Sequence, residues 1–166
     1  MDLGSAIASF LGGLPPELVV VVLAMVPVLE LRGALPVAVA VYHMDIASAL
    51  ALSIFGNLLP VVPLLLFLEP VSGWLRRWKT WDRFFSWLFE RTRRKHTHNF
   101  ERWVAMALAL FVGVPLPLTG AWTGAAAAFV FGLRFRTALL AIAAGVVMAA
   151  AIVGALVAVG MVSLGG

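Results

Sequence analysis

The sequence predicts an all-α integral membrane protein of two inverted repeats, each a re-entrant helical hairpin plus one transmembrane helix, joined by a cytoplasmic amphipathic helix. Three observations predict it: an apolar composition, one basic cluster at mid-chain, and two apolar blocks that are each interrupted at their centre.

Of 166 residues, 63% are hydrophobic and 12% charged, with a mean hydropathy of +1.04. A soluble domain averages roughly half apolar and about a quarter charged. A chain this apolar has too little polar surface to face water, so its solvent is lipid. The absence of cysteine excludes disulfides, thiolate metal sites and cysteine nucleophiles. The chain reads as a single membrane domain: an N-terminal interfacial segment (1–16), a first repeat (17–69), a linker (70–102) and a second repeat (103–166). Asp2 stands where a signal peptide carries basic residues, so no cleaved leader is expected.

Nine of the twelve basic residues lie between Pro70 and Trp103, offset by Asp82, Glu90 and Glu101. Apolar spans flank this cluster, so the positive-inside rule reads it as the cytoplasmic loop and no nucleic-acid partner is expected. Trp74, Trp78, Trp81, Trp87 and Trp103 in or beside it suit the headgroup layer. The segment is expected to form an amphipathic helix on the inner leaflet of the plasma membrane, in contact with anionic lipids; a solvated basic loop is the alternative.

Four apolar blocks surround the linker. Ile46–Leu68 and Thr137–Leu164 exceed the roughly 20 residues needed to span about 30 Å of hydrocarbon. Asn57 lies within the first of them, where an interhelical hydrogen bond is expected, and Pro60 and Pro63 are expected to kink it. Leu18–Tyr42 and Trp103–Phe131 are each broken, the first at Glu30-Leu31-Arg32-Gly33 and Pro36, the second at Pro115-Leu116-Pro117-Leu118-Thr119-Gly120. Their arms of about ten to thirteen residues are too short to cross alone. Each block is either one kinked span or a hairpin that returns to the face it entered. If the third block spans, Arg134 and Arg136 fall outside; if it returns, eleven of the twelve basic residues stay inside, all but Arg32. The re-entrant topology follows.

The halves also align. With Gly33 placed on Gly120, Ala34–Tyr42 falls on Ala121–Phe129, and after a two-residue insertion Gly56 falls on Gly145. One hairpin and one span per half turns the second half upside down, so the two bends meet near the midplane. Irregular backbone at that depth lines a cavity or is buried in protein.

The candidate site therefore lies at the bends. Burial disfavours an ionised Glu30, and a nearby arginine favours it; a carboxyl so balanced can take up and release a proton, the coupling step of a proton-driven carrier. The bland reading is that Glu30 and Arg32 neutralise one another or pair with backbone and hold the bend together. At the second bend, Thr119 is expected to cap the returning half-helix, whose amides can bind an anion. Arg32, Gly33, Gly120, Trp122 and Thr123 are the other candidate substrate contacts there, with Arg134 and Arg136 reaching in from the cytoplasmic mouth or anchoring the helix by snorkelling. Trp122 serves as a gate or as packing. Pro36, Pro115 and Pro117 shape the bends. Asp45 is expected to cap the helix that follows it. His96 and His98 lack a third ligand, so neither metal nor cofactor is expected.

Glu30-Leu31-Arg32-Gly33-Ala34-Leu35-Pro36, Gly56-Asn57-Leu58-Leu59-Pro60 and Pro115-Leu116-Pro117-Leu118-Thr119-Gly120-Ala121-Trp122-Thr123-Gly124-Ala125 resemble the small multidrug export protein family, a branch of the DedA-like superfamily. The resemblance covers nearly the whole chain from about Leu14, although the family more often shows glycine at Leu118. It implies a transporter with paired re-entrant hairpins, often dimeric. DedA-like relatives recycle lipid carriers such as undecaprenyl phosphate across the inner membrane at the expense of the proton-motive force. On that pattern Glu30 matches the acidic residue of the first hairpin, and Arg134 or Arg136 the basic residues after the second. Asp45 is the nearest second acid, at a spacing that does not match.

Two functions follow as expectations: a proton-coupled flippase for a phosphate-bearing lipid, or an exporter of small amphiphilic or cationic drugs with Glu30 as counter-ion. An intramembrane enzyme is not expected, since HExxH, paired aspartates within a span and a Ser-His pair at depth are all missing. A non-transporting scaffold would leave both bends dispensable. Small-residue faces at Ala125–Ala128 and Ala149–Ala151 permit a homodimer.

Overall fold

A computed structural model describes residues 13–75, 77, 98–116 and 119–164. The N-terminal segment to residue 12, most of the basic linker with its tryptophans and His96, and Pro117 lie outside the described residues. What is described is helical, with no strand: α1 (Pro16–Met25), α2 (Glu30–Ala40), α3 (Ile46–Leu58), α4 (Val61–Leu75), α5 (His98–Gly113), α6 (Ala121–Val130) and α7 (Phe135–Leu164).

Local chemistry explains where these helices start and stop. Pro16 opens α1, where its missing N–H is no loss. Val26, the residue before Pro27, is extended, as the proline ring requires of its predecessor, and α1 ends there. The first bend therefore spans Val26–Leu29, and Glu30, Arg32, Gly33 and Pro36 all lie within α2. This corrects the expected centre of the break. Pro36 removes one intrahelical hydrogen bond yet α2 continues to Ala40; Pro27, inside an otherwise apolar run, is what turns the chain. Glu30 enters α2 with φ 48°, a left-handed conformation that costs a non-glycine residue about 1 kcal/mol or more.

The Asp45 carboxylate accepts from Ser48 N–H at 2.9 Å and caps α3 as expected. Leu59 and Pro60 interrupt the next stretch, so the expected kink falls at Pro60, while Pro63 sits inside the first turn of α4. Ile46–Leu68 remains apolar and long enough to cross a membrane, as does Phe135–Met161. Helix α4 runs on to Leu75 and α5 starts at His98, so both ends of the expected linker are extensions of its flanking helices. The α6–α7 turn is closed by Gly132 (φ 65°). Leu133 N–H bonds Ala128 O and Gly132 N–H bonds Phe129 O, both at 3.0 Å, the paired bonds of a glycine-terminated helix end.

At 1.5 Å per residue, α1 and α6, of 10 residues each, are only about 15 Å long. Both pack on longer helices. Helix α1 packs on α2 and α3; α5 packs on α7 and α6; across the halves α2 and α3 pack on α7, and α6 packs on α4. The core is built of small side chains, with Ala24, Ala34, Ala38, Ala121, Ala125, Ala128 and Ala138 fully buried, which permits close backbone approach. Large apolar residues such as Phe55, Phe67, Leu140, Leu156 and Val159 are exposed. Two glycines let helix backbones approach closely: Gly56 on α3 lies against Val21 and Ala24 of α1, and Gly145 on α7 lies against Ala109 and Val112 of α5.

Two tests follow. A Cβ at position 145 would stand 2.7 Å from the Ala109 carbonyl oxygen, so Gly145→Ala should destabilise by about 1–3 kcal/mol. Gly160→Ala, with nothing within 4 Å, should be neutral or gain up to about 1 kcal/mol of helix propensity; thermal melts in detergent compare the two. Bonds from the Ser48 hydroxyl and backbone N–H hold the Asp45 carboxyl below its ordinary value. Its stabilisation is therefore complete above the unfolded value of about 3.9 and is lost as pH falls through the lower folded value. Asp45→Ala should accordingly lower the melting midpoint at neutral pH, with the difference shrinking in acid.

Candidate functional site

The two bends face each other. Helix α6 begins at Ala121 after Gly120, and the first N–H groups of any helix lack intrahelical partners. The Gly120 N–H donates to the Thr123 hydroxyl at 2.9 Å. The N–H groups of Ala121 and Trp122 donate to the carboxylate of Glu30, which is only 7% exposed. A carboxylate at a helix N-terminus gains both charge-assisted hydrogen bonds and the favourable end of the helix dipole. Gly120 is what lets it approach, because a Cβ there would overlap the Glu30 carboxyl group.

Arg32, two residues on, takes the opposite pole of the same bend. Its guanidinium donates to the carbonyls of Leu116 and Thr119 and, at 3.2 Å, to the Val114 carbonyl and the Thr119 hydroxyl. The Thr119 hydroxyl sits 2.8 Å from Val114 O and 2.9 Å from Leu116 O, and accepts from Leu116 N–H at 3.2 Å. A third tie runs the other way: Trp122 Nε1–H donates to the carbonyl of Met25, the last residue of α1, at 3.0 Å.

Several expectations are corrected by this geometry. Thr119 does not cap α6; it folds the 114–119 loop, and the cap comes from Glu30 in the other half of the chain. The α6 amides that were expected to be open to an anion already hold one. Glu30 and Arg32 each engage backbone, and the backbone is that of the opposed bend and not of their own. Trp122 is a tie between the bends. Gly33 faces Leu29 of its own half. Asn57 is buried at 3% exposure and its Oδ1 has no hydrogen-bond partner, contrary to the expected interhelical bond. Arg134 and Arg136 are not brought to the bends. Arg134 lies 3.8 Å from Glu101 of α5, which also accepts from the Thr137 hydroxyl at 2.9 Å. That pairing, like the role of Met25 O, left no signal in the sequence, because the partners are far apart along the chain.

Between the bends opens a cavity of about 600 Å³, within the range of ligand sites. Glu30, Arg32, Thr119 and Thr123 supply its polar atoms, and Pro27, Val28, Leu29, Pro115, Leu116 and Trp122 its apolar wall. Behind Glu30 a second, smaller cavity is bounded by Asn57, Gly120, Val112, Val146 and Ala149. No group of three or more potential metal ligands occurs among the described residues.

A family model described as "Putative small multi-drug export protein" matches residues 30–152, which include Glu30 and Arg32, the second bend, the first long apolar stretch and most of the second. The chain belongs to this family. As a member of it the chain is a membrane protein, and large apolar side chains are exposed on its helices. Searches of curated proteins and of solved structures find no match.

The clasp predicts a specific defect. A lysine ammonium is a point donor that cannot span several carbonyls as a guanidinium does. Arg32→Lys in this small multidrug export protein should leave loop carbonyls unpaired and cost about 1–3 kcal/mol, read as a lower melting midpoint in detergent.

Proposed function

We propose that the chain exports small amphiphiles in exchange for protons, with the cleft between the bends as substrate site and Glu30 as the coupling group. One observation carries this reading: a nearly buried carboxylate lines a largely apolar, drug-sized cleft. Ionisable groups at such positions in membrane proteins are functional candidates by default. The family description points to the same class of activity. In this scheme each half is an inverted repeat whose bend is re-entrant, the basic linker is cytoplasmic, and the protein resides in the plasma membrane. The matching placements of Gly56 against α1 and Gly145 against α5, and the crossed packing of α2 on α7 and α6 on α4, support the repeat.

The second reading is a flippase for a phosphate-bearing lipid. The N-terminus of α6, with the Ala121 and Trp122 amides at the cleft, favours it: a phosphate could displace the Glu30 carboxylate there. It ranks second because Arg134 lies by Glu101 and neither Arg134 nor Arg136 lines the cleft, so the arginines that reading required are elsewhere.

Proteoliposomes under an imposed pH gradient separate the two. Efflux of a cationic amphiphile such as ethidium, abolished by Glu30→Gln, is the expected result. Ethidium efflux unchanged by Glu30→Gln would remove Glu30 as the coupling group, and translocation of a fluorescent lipid phosphate without ethidium efflux would install the second reading.

A further inference from the structure

Asn57 sits on α3, 3% exposed, with its side-chain oxygen lacking any donor. An unpaired buried carbonyl of this kind costs about 1–3 kcal/mol, and such exceptions in a native fold call for a reason. Its surroundings supply one. The small cavity that it lines is otherwise bounded by Glu30, Leu31, Arg32, Val112, Gly120 and helix α7. Arg32 is the only other charged residue among these, and its guanidinium is turned to the 114–119 loop. Val112 of α5, and Val146 and Ala149 of α7, offer no titratable group. That leaves Glu30. An ionised carboxylate only accepts hydrogen bonds and has no donor for Asn57 Oδ1; a protonated one carries an O–H that Oδ1 can accept.

We propose that Asn57 is the acceptor for protonated Glu30, so that proton uptake turns the carboxyl away from the Ala121 and Trp122 amides and onto Asn57 Oδ1. The bond that joined the first half to the second is thereby replaced by a bond within the first half, from α2 to α3. The α6 N-terminus is released to the cleft, and the clasp between the bends keeps only its Arg32 and Trp122 ties. The proton balance is one proton taken up per carboxylate and returned when Glu30 goes back to the amides. Asn57 acts through Glu30 as a positioning residue; it stores the protonated state. This rests on Glu30 being the coupling group.

Infrared difference spectra on the full-length protein in lipid, acid minus alkaline, provide the test. Wild type is expected to show a carboxylic-acid C=O band that Glu30→Gln removes. In Asn57→Leu, a substitution of similar shape, that band should move toward the frequency of a free acid. The same variant should melt at or above wild type in alkaline buffer, where Asn57 has no partner to lose, and below wild type in acid, where it does. Asn57→Ala repeats the measurement if the leucine does not fold. Ser53 is a control: its buried hydroxyl also lacks a partner, one turn earlier on α3, but it does not line the Glu30 cavity, and Ser53→Ala should leave the band in place. An acid band unmoved by the Asn57 variants, equally moved by Ser53→Ala, or a melting difference that is the same at both pH values would overturn the role of Asn57 alone. Absence of any Glu30 acid band in wild type would overturn the proton-coupled reading, and this inference with it.

Discussion

The structure depends on how the backbone of one interrupted helix is satisfied. At Val114–Leu116 and Thr119–Gly120 the chain leaves helical geometry inside a molecule with little polar surface to offer, and each stranded N–H or C=O in such surroundings costs several kcal/mol. Glu30 and Arg32 resolve this together. They lie on one turn of α2, and the acid meets the amide end of α6 while the base meets the carbonyls of the 114–119 loop. Each charge is matched to the pole of the opposed bend that has the opposite sign. Two charges that would be expensive alone are thus made tolerable by the same backbone groups that they satisfy.

That clasp also explains why the surrounding core is so small-grained. For Glu30 to reach the start of α6, the helices that carry the bends must be drawn close to the long helices, and alanine and glycine at the contacts allow this. Gly56 and Gly145 sit at corresponding places in the two halves and press α3 on α1 and α7 on α5. Gly120 does the same for a side chain, leaving room for the carboxylate where any larger residue would displace it. Crossed packing of α2 on α7 and of α6 on α4 then makes each bend depend on the other half for its position.

A tie made by a carboxylate is conditional in a way that an apolar contact is not. The hydrogen bonds from the α6 amides are stronger to the ionised form than to the neutral one, so the strength of this joint between the halves follows the charge state of Glu30. Glu30 lines both the larger cavity and the small one that the unpaired Asn57 also lines.

Composition and block length by themselves determined the class of the protein. An apolar chain with one basic cluster, two long apolar stretches and two interrupted ones can only be a helical membrane protein, because lipid permits no unpaired backbone and short arms cannot cross it. The sequence also named Glu30, Arg32, Gly120 and Trp122 as the residues of the bends, since charge, glycine and an indole donor are out of place in such blocks. What it could not supply was their partners. Pro27 was hidden in an apolar run and the bend was placed too late; Thr119 was given the cap that Glu30 provides from 91 positions away; Arg134 was assigned to the site and pairs with Glu101 instead. Helix caps and ion pairs are legible in a sequence when donor and acceptor share a turn, as with Asp45 and Ser48. Here the bonds that define the site join groups brought together only by the packing of one half against the other, and that is decided by tertiary structure alone.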